Sequence, residues 1–210
     1  MQVKQCSVGM VMTNCYFLIN EETKEVALVD PGDKAQLLLR HCKQMDLTVK
    51  AILLTHGHFD HILAVPELKE VTGATIYASK AEAGVLEDAE YNLSGAWQCR
   101  PMTVKADVSL SDGQEFTVCG AKVRMILTPG HTCGSCCYYL PEEGWLFSGD
   151  TLFCESYGRL DLPTAMPSRM ASSINDKLLV LPEETKVYPG HNESTTIGHE
   201  KIHNPMAGWR

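Results

Sequence analysis

The chain has 210 residues, enough for one large domain or two small ones. Hydrophobic residues make up 44% and charged residues 21%, a globular composition that excludes a disordered, collagen-like or coiled-coil protein. Eighteen basic against twenty-six acidic side chains leave a formal charge of −8, which repels phosphate backbones and anionic lipid, and no basic patch offsets it. No nucleic acid and no membrane is therefore expected among the partners. Met1 to Asn20 lacks the apolar stretch of a signal peptide, and no apolar run reaches the roughly 18 residues of a membrane span. Nine dispersed cysteines, an odd number, read as reduced thiols and a cytoplasmic location rather than a disulfide framework.

No repeat, low-complexity tract or linker divides residues 1–210, which read as a single domain. Cys15 to Ile19 and Val26 to Val29, either side of the polar Asn20-Glu21-Glu22, predict a hairpin. After Pro31-Gly32, Leu37, Leu38, His41 and Met45 recur at helical spacing, which predicts a helix over Lys34 to Gln44. Ala51 to Leu54 reads as a buried strand, Leu63 to Val71 as a helix and Thr75 to Ala78 as another strand. Ala89 to Asp107 carries the least pattern. Strands come next at Glu115 to Cys119, Val123 to Leu127, Cys136 to Leu140 and Gly144 to Phe147. Met166 to Leu181 returns to a helix, and Lys186 to Tyr188 is a last short strand. Two packed sheets covered by helices satisfy this pattern.

The chemistry concentrates behind Ala51 to Leu54, in Thr55-His56-Gly57-His58-Phe59-Asp60-His61. Crowded imidazoles repel when protonated, but as neutral donors they can share a divalent cation. Alternation after a strand lets His56 and His58 face one ion while Asp60 and His61 face another. Three further loops, each just beyond an expected strand, deliver Gly130-His131, Gly149-Asp150 and Gly190-His191. The glycine before each ligand is expected to permit a tight turn that aims the side chain into a shared cavity. Five histidines and two aspartates exceed what one four-coordinate zinc needs and suit two ions.

In that order, His56-x-His58-x-Asp60-His61, His131, Asp150 and His191 resemble the ligand set of the metallo-β-lactamase-fold hydrolases, over about residues 10 to 205. The resemblance implies an α/β fold: an αββα four-layer sandwich, two mixed sheets flanked by helices, with a metal site along one edge. Pro129-Gly130-His131-Thr132-x-Gly134-Ser135, Ser148-Gly149-Asp150-Thr151-Leu152-Phe153 and Gly158-Arg159-x-Asp161-Leu162-Pro163 are most similar to the glyoxalase II group of hydroxyacylglutathione hydrolases. Tyr188-Pro189-Gly190-His191, Thr195-Thr196-Ile197-Gly198 and Asn204-Pro205 point the same way. Carried over, His56, His58 and His131 would hold a first metal, Asp60, His61 and His191 a second, and Asp150 would bridge them. The ions implied are divalent, zinc first, with iron or manganese as alternatives. Larger glyoxalase II enzymes carry an added C-terminal helical segment that helps bind glutathione. Here Arg210 lies 19 residues after His191, so the resemblance is to the short form.

A hydroxide between two cations is a nucleophile at neutral pH, because metal binding lowers the pKa of water to about 7. Asp60 would orient it besides ligating. Thioesters are expected over amides as the small-molecule substrate, since a thiolate of pKa near 8.5 departs without a general acid. Lactoylglutathione, another acyl thioester or a small ester stays open, as does the oligomeric state. Arg159 either binds a substrate carboxylate or pairs with Asp161 to fix a loop, and Tyr157 either offers its hydroxyl and ring or belongs to the core. Cys133 and Cys136 form a C-x-x-C, but Cys137-Tyr138-Tyr139-Leu140 directly after it reads as a strand rather than a helix, so buried structural thiols are expected. The alternative function is a persulfide dioxygenase-like oxidoreductase, which shares the fold but uses a single iron on the positions of His56, His131 and Asp150. A non-catalytic metal-stabilised protein is the third.

Overall fold

The structure, a computed structural model, describes residues 1–96 and 101–209. The first sheet runs in the order β1 (Gln2–Val8), β2 (Thr13–Ile19), β3 (Glu25–Val29), β4 (Thr48–Leu54), β5 (Thr75–Ser79) and β6 (Val108–Leu110). Its first two pairings are antiparallel and the remaining three parallel. The second sheet contains β7 (Glu115–Val118), β8 (Ala121–Leu127), β9 (Cys136–Leu140), β10 (Trp145–Gly149), β11 (Lys186–Pro189) and β12 (Thr195–Thr196), in sequence order across the sheet. Only β10 and β11 are parallel in it. Both sheets are mixed, as the resemblance implied.

Alternation along each strand divides the core into three layers of contact. Tyr16, Leu18, Val29, Ala51 and Leu53 face inward from the first sheet and meet Val123, Met125, Tyr138 and Phe147 of the second. The intervening residues Phe17, Ile19, Leu28, Ile52 and Leu54 pack outward against α1 (Ala35–Gln44) and α3 (Val65–Thr72) through Leu38, Val65 and Leu68. On the far side, Ile126, Tyr139, Leu146 and Val187 meet Met170, Ile174, Leu178 and Ile197. Strands buried on both faces read as continuous apolar runs, which is why β2 to β4 and β9 were legible. The result is helix, sheet, sheet, helix.

Several expectations need adjustment. The helix expected over Leu63 to Val71 is α3, and the single turn α2 (Phe59–Ile62) before it was not expected. Pro66 fits only the first turn of a helix, and Gly73 in the left-handed region (φ 68) closes it. The helix expected over Met166 to Leu181 is α5 (Pro167–Ser172) continued by a π-helical turn over Ser173–Leu178. β1 was missed because its side chains are mostly polar and exposed, as suits an edge strand. Other elements outside the expectations are α4 (Ala83–Leu86), β6, β12 and α6 (Ile197–His203). Within the poorly patterned Ala89 to Asp107, residues 97–100 lie outside those described. Among the described residues no helix is long and apolar enough to cross a membrane.

The sheets are tied at one edge. Asn14 on β2 sends its backbone N–H to the Gly190 carbonyl (2.7 Å) and its side chain to the carbonyls of Pro189 and Asn192 (3.1 and 2.8 Å). The Tyr16 hydroxyl donates to Pro189 (2.7 Å), and the Cys136 N–H to the Thr55 carbonyl (2.8 Å). At this edge β3, β4, β8, β10 and β11 all end.

Candidate metal centre

Four of those strands hand polar residues to the same hollow. β4 runs into His56, His58, Asp60 and His61, β8 leads to His131, β10 to Asp150 and β11 to His191. The structure brings all seven together in three overlapping groups: His56, His58 and His131; His56, His61 and Asp150; Asp60, His61 and His191. Within each group the donor atoms lie within 4.8 Å of one another.

Closer separations describe a coordination shell. His61 Nε2 is 3.5 Å from Asp60 Oδ2 and 3.4 Å from Asp150 Oδ1. His191 Nε2 is 3.4 Å from Asp60 Oδ2 and 3.6 Å from Asp150 Oδ2, and that same Oδ2 is 3.5 Å from His131 Nε2. A tetrahedral zinc with arms of about 2.0–2.2 Å sets its nitrogen and oxygen ligands about 3.3–3.6 Å apart. Moreover His56 Nε2, His61 Nε2 and Asp150 Oδ1 are buried without any hydrogen-bond partner. A lone orphan of this kind costs about 1–3 kcal/mol, and several converging on one point are what a cation resolves. The donor set fits divalent metal.

Supporting hydrogen bonds orient three of the five rings. His131 Nδ1 donates to the Arg159 carbonyl (2.8 Å), which leaves Nε2 as the lone pair facing Asp150 and His58 Nδ1 (2.9 Å). His61 Nδ1 pairs with Asp30 Oδ2 (3.0 Å), leaving its Nε2 for the hollow. The Thr55 hydroxyl donates to Asp30 (2.6 Å), so its lone pair can accept from His56 Nδ1 (3.2 Å). The Thr13 hydroxyl donates to Asp60 Oδ2 (2.9 Å). Buried Glu82 accepts from the Gly57 N–H and the Thr132 hydroxyl (2.8 Å each), joining the loop of His56 and His58 to that of His131.

Asp30, Thr13, Thr55 and Glu82 escaped the sequence reading. Asp30 carried a usable signal, for Val29-Asp30-Pro31-Gly32 is another strand end delivering an acid. Thr13 and Glu82 carried none, since ordinary polar residues acquire their role only from what the fold sets beside them.

Electrostatics divide the cluster. Burial first, and then the neighbouring imidazoles, drive His56 well below its usual pKa and bring His58 down to about 3. Burial acts the same way on His61, but Asp60, Asp150 and the bond to Asp30 outweigh it and raise His61 to about 10. His191 is also raised, against burial, by Asp60 and Asp150. Asp60 is pulled far down despite burial, by His61, His191 and Thr13.

Only one of the three ligand-preceding glycines answers to a left-handed turn. Gly149 has φ 49, and a Cβ there would run into Thr55. Gly190 is needed for close approach instead, because a Cβ would strike Asp150 Oδ1 and come within 2.8 Å of His61. Gly130 backs onto Met170.

The hollow opens into a cleft of about 530 Å³. His58, Asp60, His131, Asp150 and His191 form its floor, Val11, Leu93, Phe153 and Leu162 its apolar walls, and Tyr157 and Arg159 part of its rim. Arg159 is paired bidentately with Asp161 (2.7 and 2.8 Å), a contact that engages two of its five N–H donors. Tyr157 lines the cleft and also packs on the outer core of the second sheet, so the structure gives it both expected surroundings. Cys136 is buried with its thiol against the Leu54 carbonyl, and burial drives its pKa up. Cys133 differs from expectation in being only half-buried, near the Ala81 carbonyl.

The fold and these strand-end ligands define a metallo-hydrolase class, and the chain belongs to the metallo-beta-lactamase superfamily, whose family model matches residues 8–191. It is 36% identical to the probable metallo-hydrolase YqgX of Bacillus subtilis over 207 residues, 98% of this chain and 97% of that one. It is 32% identical to the hydroxyacylglutathione hydrolase GloC of Haemophilus influenzae, covering 98% of each. Among solved structures, BLEG-1 B3 metallo-beta-lactamase superposes with a TM-score of 0.92 at 41% identity, over 99% of this chain and 100% of that one. TTHA1623 in a di-iron-bound form gives 0.85 at 36%, over 96% and 98%. ETHE1 from Myxococcus xanthus gives 0.82 at 32%, over 99% and 85%.

Proposed function

We propose that the protein is a cytoplasmic dinuclear metallohydrolase that cleaves an acyl thioester of the hydroxyacylglutathione type. The observation that carries this reading is the convergence of seven donors at metal-ligand separations, several of them orphaned, on the floor of a half-apolar cleft. His56, His58 and His131 would hold one cation and Asp60, His61 and His191 the other, with Asp150 as the ligand available to both. Zinc is the ion proposed, and the di-iron form of a 36% identical relative makes iron the first alternative. Divalent cations bound here supply Lewis acidity and bring the pKa of water down toward 7.

The chain's own groups do the rest. Asp60, held ionised and tethered by Thr13, accepts a hydrogen bond from the attacking water and aims it at the carbonyl carbon. Val11, Phe153 and Leu162 cover the acyl chain and exclude bulk water. Arg159 offers its remaining N–H donors to a substrate carboxylate, and Tyr157 its hydroxyl or ring. Among the described residues, Asp60 and Asp150 supply the only carboxylates lining the cleft. A leaving group that departs as a thiolate needs no additional acid, and the likeness to GloC favours the same substrate class.

The test is a panel of acyl thioesters, oxyesters and β-lactams on metal-replete enzyme, with metal counted per chain. Two cations and the highest kcat/KM on hydroxyacyl thioesters are expected. Faster lactam turnover would overturn the substrate assignment. The alternative, persulfide oxidation at one iron on His56, His131 and Asp150, is consistent with the likeness to ETHE1. It predicts one iron per chain and oxygen consumption with a persulfide.

A further inference from the structure

Away from this cleft, a second set of metal-ligand types meets between the loop after β10 and helix α6. Cys154 Sγ, a Glu155 carboxylate oxygen and a His199 ring nitrogen lie within 4.8 Å of one another. His199 Nε2 is 3.0 Å from Glu155 Oε1. These residues are not in the seven-donor cluster. Cys154 and His199 line a separate cavity of about 450 Å³ together with Glu184 and Lys186, whose ammonium lies over the Tyr188 ring.

The trio is held by a buried anchor. Glu200, fully buried on α6, accepts from the Glu155 N–H through both oxygens (3.2 and 3.0 Å), from the Thr195 hydroxyl (2.7 Å) and from Asn204 Nδ2 (2.8 Å). The same Asn204 amide donates to the Ser156 carbonyl (2.9 Å). The loop is thus pinned on both sides of Glu155 to the helix that carries His199. Burial first, and then the charges of Glu200, Glu193 and Glu155, outweigh a hydrogen bond with Thr195 and raise the Cys154 thiol. The same anionic surroundings favour a cation.

We propose that Cys154, Glu155 and His199 form a third cation site, for zinc or another thiophilic divalent ion, with its fourth position left to water. Sulfur at about 2.3 Å, imidazole at 2.0–2.1 Å and carboxylate at 2.0–2.2 Å are the arms zinc takes. Rotation of the exposed Glu155 side chain closes the triangle around it. Binding displaces the thiol proton to solvent and leaves oxidation states unchanged. The site stands apart from the hydrolytic reading, and thioester turnover is read independently of it.

Cobalt(II) is the probe, because the seven-donor cluster contains no cysteine. Added to the chelator-treated full-length protein, it should produce a near-ultraviolet thiolate-to-cobalt charge-transfer band. Cys154→Ser should abolish that band and leave the visible bands of the imidazole–carboxylate centre. His199→Gln should weaken the cobalt affinity read from it by at least about tenfold. In the unmutated protein, zinc should slow alkylation of Cys154 at least about tenfold, on the same scale of ligand effects, and leave half-buried Cys133 unchanged. No band in the unmutated protein, a band that survives Cys154→Ser, or alkylation of Cys154 indifferent to zinc would each overturn the proposal.

Discussion

The two halves of the seven-donor cluster use the same side chain to opposite electrostatic ends. His56, His58 and His131 are almost completely buried, and the first two are forced to stay neutral by burial and then by the neighbouring imidazoles, His61 and His131 among them. His61 and His191, a few ångströms away, sit against Asp60 and Asp150 and are pushed toward the charged form. The first half is a cage of lone pairs that lacks a positive charge. The second already balances its charges through ion pairs and is more open to the cleft. Imidazole chemistry is common to both, so the difference lies in which strand end places a carboxylate beside which ring.

Substituting the residue shared by the halves should have the largest effect. Asp150→Ala removes the carboxylate that faces His61 with one oxygen and both His131 and His191 with the other. Loss of both cations and a fall in kcat/KM of roughly 10²–10³-fold or more are expected, the scale of losing a principal charge stabiliser. Full metal content by elemental analysis would contradict the shared role. His191→Ala acts on the second half alone, so the expected result is one cation per chain and activity reduced by roughly 10–100-fold. Loss of both ions would show that the halves are not separable.

Glu82 sharpens the comparison from the side of the first half, whose two loops it joins. Burial is the largest influence on it and, despite bonds from Gly57, Thr132 and Gly134, raises its pKa from 4.5 to about 7. An acid whose folded-state pKa is raised contributes stability that is fully present below about pH 4.5 and lost as pH rises through about 7. Relative to Glu82→Gln, the unsubstituted metal-free protein should therefore lose up to roughly 3 kcal/mol across that interval. Denaturant unfolding at several pH values measures this, and a difference independent of pH would refute it. The smallest effect belongs to Arg159→Ala, because the backbone carbonyl that holds His131 survives the change. KM should rise several-fold for thioesters bearing a carboxylate and stay constant for neutral ones. An equal shift for both would assign Arg159 to loop fixation through Asp161 alone.

Element by element, the sequence was readable where burial on both faces wrote apolar runs, as in Cys15 to Ile19 and Ala51 to Leu54, and unreadable where an edge stayed polar, as in Gln2–Val8. The expected helices were placed within a few residues, with Pro66 and Pro167 in their first turns, while the change to π-helical geometry at Ser173 left no mark in the apolar spacing. The strand-end ligands were legible because His and Asp behind a glycine are rare and discrete. Their supports were not, for a threonine such as Thr13 is indistinguishable in sequence from any other.

By itself, then, the order of residues determined the layered α/β architecture, the family and the seven donors that the fold assembles. It could do so because hydrophobic alternation and ligand type are local properties. Only the tertiary structure decided which imidazoles stay neutral, which nitrogen His56, His61 and His131 turn to the hollow, and that Asp30 and Glu82 stand behind them. Those depend on burial and on charges from strands far apart in the chain, and pairwise electrostatics has no counterpart in sequence spacing. The same holds for Cys154, Glu155 and His199, which are separated by 44 residues between the last two and brought together by the hydrogen bonds to one buried carboxylate.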